Sequence, residues 1–196
     1  MRLKALASIL FLCFLVCGCA MNSIDIVNSP PSKILRLNVA AVTIKNTAEI
    51  EPWRNQPYSS TPNPLREGVQ AQFHSAVLKK LENLFVSSSN GQGKATIKIE
   101  RAVIMNTTQG IKNVVVVGWF FLGNKEDYIA IIDGSIEIED KSGQVVERIY
   151  WKVKTNVSGS SLTEARIREA SSKAANMALD KLEGELEERA KRYLLL

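Results

Sequence analysis

The sequence predicts an α+β fold: an antiparallel or mixed sheet of four to five strands with two helices packed on one face, after an N-terminal signal peptide. Three observations carry this. Residues 94–105 and 144–157 alternate side chains with the period of a half-buried strand, and 128–139, with Ile129, Ile131, Ile136 and Ile138, reads as a strand beside them. Residues 65–84 and 162–193 repeat apolar side chains with the period of a helix. The order is segregated, strand then helix, a block of strands, then a second helix, which favours helices gathered on one side of a sheet. The expected organisation is a signal segment over 1–18, a tether over 19–33 and one domain over 34–196.

The N-terminus justifies the first boundary. Arg2 and Lys4 are basic, Leu6 to Val16 is almost unbroken in apolar residues, and Gly18 is small. These are the three parts of a secretory signal, and the run is shorter than the ~20 residues that span a bilayer. Val16-Cys17-Gly18-Cys19 resembles the lipobox of bacterial lipoproteins. The resemblance implies cleavage before Cys19, a diacylglycerol thioether on its sulfur and an acylated (palmitate-type) amine. Ala20 stands where enterobacterial lipoproteins retained at the inner membrane carry Asp, so the resemblance implies a Gram-negative outer membrane, with the domain facing the periplasm.

Residues 20–33 are polar and contain Pro30-Pro31, the composition of a short tether. Ile34–Ile44 is apolar on both faces and reads as a central strand. The span 45–64 holds Pro52, Pro57, Pro62 and Pro64, which forbid a helix; Trp53 and Tyr58 are the residues in it able to pin it down. Asn63-Pro64 reads as the cap and first turn of a helix whose stripe is Leu65, Val69, Phe73, Ala76/Val77, Leu81 and Leu84. Lys94–Met105 follows, with Ala95, Ile97, Ile99, Val103 and Met105 on one side. Arg101 interrupts that side, the mark of a bulge or a register change. Tyr128–Glu139, the turn Asp140-Lys141-Ser142-Gly143 and Gln144–Val157 form a hairpin, with Asp133-Gly134 suggesting a bulge in its first strand. Ser161 and Glu164 make a capping box. The helix behind them shows a narrow stripe of Leu162, Ala165, Ala170, Ala174, Met177/Ala178, Leu182 and Leu186, and its glutamates (Glu183, Glu185, Glu187, Glu188) read as a solvated face.

The run Val114–Leu122 has two readings. Its β-branched residues suit a buried strand. Gly110, Gly118 and Gly123 break it, and Trp119, Phe120 and Phe121 are consecutive, so one of them must leave any single core face. That favours contact with membrane or a protein partner.

Composition excludes several classes. Cys13, Cys17 and Cys19 are the only cysteines, so the mature domain has no disulfide and depends on its apolar core. Removing Arg2 and Lys4 from 25 basic residues, against 20 acidic ones, leaves a mature charge of about +3 without a basic run, which argues against nucleic acid as a partner. The single histidine, His74, has no metal-ligand neighbours at helical spacing, and no nucleophile elbow or phosphate loop occurs. Neither an enzyme, a metal nor a cofactor is expected.

The order of elements behind a lipobox resembles the YajG-like and LptE-like small envelope lipoproteins. The expectation is a non-enzymatic binding or assembly subunit of a cell-envelope complex, held at the membrane by acylated Cys19 and docking through its sheet or through 114–122 onto a protein partner or lipid. The alternatives are an auxiliary component handling lipid or lipopolysaccharide and, less favoured, an envelope hydrolase.

Overall fold

The computed structural model describes residues 23–52, 63–107, 125–160 and 164–195. Its main sheet runs β2 (Ala41–Asn46), β5 (Lys94–Thr107), β6 (Lys125–Glu139), β7 (Val145–Ser160), and β3 (Asn63–Pro64) pairs with the far end of β5. A separate two-stranded parallel ladder joins β1 (Leu35–Arg36) to β4 (Phe85–Val86). Helices α1 (Glu67–Leu84) and α2 (Glu164–Ala190) pack on the same face of the main sheet. The fold is α+β with a mixed sheet.

The hairpin β6–β7 follows its sequence pattern closely. Ile132 faces Val153 and Ile136 faces Ile149, while Trp151 is buried on the helix side. The turn is held by Asp140, whose Oδ1 accepts from the backbone N–H of Ser142 and Gln144 at 2.8 and 3.1 Å. Gly143 closes it at φ +81°, a conformation that suits glycine. β2 runs parallel to β5, with Ile44 opposite Ile97, because α1 carries the chain back across the sheet between them. The predicted α1 stripe is the observed one: Val69, Phe73, Val77, Leu81 and Leu84 are all fully buried.

Several expectations are corrected. Ile34–Ile44 is two short strands, and β2 lies at the edge of the sheet. Leu35, Leu37 and Val39 are buried while Arg36, Asn38 and Ala40 are exposed, so the segment alternates and has one core face. Asn63-Pro64 does not open α1; it bridges to Asn106 and Met105 of β5, and the helix starts at Glu67. Gln70 explains the delay: its side-chain amide donates to the carbonyls of Leu65 and Glu51, holding the entering chain extended.

The bulge predicted at Arg101 is present, between Ile99 and Arg101. Its consequence was misread. The extra residue turns Ala102 and Ile104 toward the helices and sends Val103 and Met105 to the opposite face. Asp133-Gly134 is not bulged; β6 continues through it and Gly134 pairs with Trp151. Glycine is needed there because a Cβ would collide with the Lys98 carbonyl and the Trp151 ring. In α2, Ala170, Ala174, Ala178, Leu182 and Leu186 are buried as predicted, whereas Ala165 is exposed, ahead of the point where Ala170 meets Gly159.

Candidate functional site

Residues 23–33 lie along the helices. Pro30-Pro31 keep the segment extended, so its N–H groups find no partners within itself. They are taken up by side chains of α1 and α2. Ile24 donates to Gln72 Oε1 at 2.9 Å, Asp25 to Ser172 Oγ at 2.9 Å, and Val27 to Asn176 Oδ1 at 2.9 Å. Asn176 returns a hydrogen bond to the Asp25 carbonyl at 3.2 Å. Ile24 is buried and belongs to the main core. Beneath Val27–Pro30 is a cavity of about 200 Å³ lined by Ala76, Lys80, Leu179 and Asp180 among others.

The segment ends on Glu183. Its carboxylate accepts from the N–H groups of Ser32 and Lys33, each at 3.1 Å, and from the Ser32 hydroxyl. Lys80 of α1 approaches it at 3.5 Å, and both side chains are nearly buried. Lys33 pairs with Glu187 one turn further on. Burial works to raise the Glu183 carboxyl, but the Ser32 hydrogen bonds and the Lys80 charge outweigh it and hold the group below the usual carboxylate range. Sequence reading placed Glu183 on a solvated face; the structure makes it the clamp of the strap. The available signal was its spacing, since Glu183 follows Leu182 and Leu179 on the inward side of the helix.

The strap has a direction. Its start meets Gln72 and Ser172, its end meets Lys80-paired Glu183, so it runs parallel to both helices. Ala170, just before Ser172, lies against Gly159 and so beside Tyr128, at the start of β6 and the end of β7. At the other end of α2, Arg192 and Tyr193 bond Glu147 at the start of β7. The strap therefore begins at the end of the domain where β5 and β6 close on the pair Thr107–Asp127. Cys19, Trp119, Phe120 and Phe121, and the loop residues Trp53 and Tyr58, lie outside the described residues.

The second feature is the edge strand β7. Among the described residues nothing pairs with its outer side, and Val145, Val146 and Tyr150 are exposed there. Arg148, Lys152 and Lys154 are exposed beside them. On the face away from the helices, Lys98, Glu137 and Arg148 form an ion-pair ladder across β5, β6 and β7, at 2.6 and 2.5 Å. The hydrogen bond from Lys98 and that from Arg148 outweigh burial and lower the Glu137 carboxyl. Further along the same face, Val103, Met105, Ile129 and Ile131 form a second buried cluster.

No family model matches the chain, and no curated protein does. Among solved structures, a Xanthomonas campestris protein of family DUF330 aligns over 87% of this chain and 95% of its own, with 14% identity and a TM-score of 0.42. A minor lipoprotein of Acinetobacter baumannii aligns over 79% of this chain and 93% of its own, with 9% identity and a TM-score of 0.39.

Among the described residues, no group of three or more His, Cys, Asp or Glu is placed to hold a metal, and no helix is long and apolar enough to cross a membrane. His74 is packed inside α1's buried face with Nε2 unpartnered. Burial depresses its imidazole, more than its hydrogen bond to the Ala102 backbone raises it.

Proposed function

We propose that this chain is a lipoprotein of the bacterial envelope, anchored in the outer membrane through acylated Cys19 and facing the periplasm, where it serves as a non-enzymatic binding or assembly subunit. The lipobox supports the anchor. The observation that carries the binding role is the outer edge of β7, a strand of 16 residues with Val145, Val146, Tyr150 and its basic side chains in solvent. A free edge offers a row of backbone donors and acceptors to an added strand. Lys152 and Lys154 repel a second copy of themselves and suit a partner strand with acidic side chains. The apolar run with Trp119, Phe120 and Phe121 supplies a second contact, with membrane or partner.

The test is a native pull-down with protein lipidated in its own host, comparing wild type with the double variant Lys152→Glu/Lys154→Glu. Both positions are exposed, but Lys152 lies opposite Asp133 across the β6–β7 ladder, so a urea-unfolding midpoint of the variant is compared with wild type to separate lost binding from lost stability. A partner held by wild type and lost from the variant supports the reading. Copurifying lipid without a protein partner would favour the lipid-handling alternative, and an unmodified Cys19 by mass spectrometry would remove the anchor.

A further inference from the structure

The geometry points to a fixed posture of this domain on the bilayer: the end formed by Ile24, the first turns of α1 and α2, and the Thr107–Asp127 pair abuts the lipid headgroups, and the β6–β7 turn stands away from them. The inference rests on the anchor at Cys19 proposed above. It goes further because a lipid tail on a loose tether would leave the body free to tumble.

Three observations keep the attachment short and grip the chain where it meets the body. Cys19 precedes Ile24 by five residues, and five extended residues reach at most about 18 Å. Ile24 is itself in the core, and the N–H groups of Ile24, Asp25 and Val27 are bonded to three different helix side chains. The strap then continues to Glu183 in one direction, parallel to α1 and α2. The body is therefore gripped along its length and joined to the membrane at one end.

The other end is far off. Between Tyr128 and Glu139 β6 has eleven residue steps, which extend about 36 Å. Arg192 and Tyr193 on Glu147 show that α2 spans the same distance. The helix layer offers no competing way to lie down. Glu169, Lys173, Asp180, Lys181, Glu188 and Arg189 face outward there, and burying them against lipid would strip their hydration without apolar gain.

The mature chain has no cysteine besides Cys19, so single labels are clean. Ser158→Cys marks the near end and Lys141→Cys the far turn; both residues are exposed. Each variant, lipidated in its host and carrying a donor dye, is placed on liposomes of phosphatidylethanolamine and phosphatidylglycerol with a headgroup acceptor. Energy transfer should be at least threefold greater from position 158 than from 141. A flexible Gly/Ser insert of about 20 residues between Met21 and Asn22 should abolish that difference. Equal transfer in the uninserted protein or greater transfer from 141 overturns the posture, and a difference that survives the insert overturns the short strap attachment as what fixes it. The mass of the N-terminal peptide separates the two failures. Acylated Cys19 with equal transfer sinks the posture alone, whereas unmodified Cys19 sinks the anchor and the posture with it.

Discussion

At Glu183 four donors converge on one carboxylate: two backbone N–H groups, the Ser32 hydroxyl and the Lys80 ammonium. Removing it leaves Lys80 nearly buried without its carboxylate and strands the strap. Glu183→Ala should cost about 2–4 kcal/mol in urea unfolding, and Glu183→Gln less, because an amide oxygen still accepts from Ser32 and Lys33. The pH dependence has a definite sign. The carboxyl is depressed in the folded state, so its contribution is complete above its unfolded value near ~4.3 and is lost as pH falls through the lower folded value. His74 acts earlier. Its folded imidazole is depressed by burial, so the unfolded chain binds more protons below about 6.5 and stability falls with pH from there. His74→Gln should flatten the loss of stability between about pH 6.5 and 5, measured by urea midpoints, while the drop below pH 4.3 persists. The spacing of Glu183 behind Leu179 and Leu182 marks it as inward-facing, but neither partner set was legible in the sequence. A glutamate among glutamates and a lone helix histidine carry no local sign of what lies across the fold, here residues some 150 positions away for Glu183.

At the scale of elements, what could be read was whatever repeats locally. The α1 stripe and the returning strand β7 are periodic and their buried faces match the reading, whereas the bulge read at Asp133-Gly134 of β6 is absent and Ile129 and Ile131 lie on the face away from Ile136 and Ile138. The bulge in β5 announced itself through Arg101, but one inserted residue reverses every later side chain, and a pattern of alternating letters reads the same from either side. Val103 and Met105 were therefore assigned to the wrong face. The strap was not legible at all, since its bonds run from its backbone to helix side chains and impose no period on its own residues. Gly134 belongs to this scale too. Its β-carbon would press on the Lys98 carbonyl and the Trp151 ring, neither of which is the free end of a flexible chain. Gly134→Ala should destabilise by about 1–3 kcal/mol in urea unfolding, as overpacking does. A change of under 0.5 kcal/mol would show that the two strands separate there at little cost.

For the whole molecule, the long exposed edge of β7 and the basic residues beside it bear on association. Like charges opposed across an added strand disfavour pairing of two copies. Non-lipidated protein starting at Ser23 should sediment as a monomer at tens of micromolar, and Lys152→Gln/Lys154→Gln, which removes the like charges without reversing them, should raise, not lower, any self-association. A stable wild-type dimer in that experiment would mean the edge is satisfied by another copy and is not open to a different partner.

The direction of the strap also decides how the molecule answers to pulling. With the proposed anchor at Cys19, Ser23 enters at the membrane side, and the chain leads from it alongside both helices to Glu183. Drag on the domain stretches this segment lengthwise, so its bonds to Gln72, Ser172, Asn176 and Glu183 share the load in shear and do not open one after another like a zipper. A domain held in this way is fastened along a seam instead of at a point.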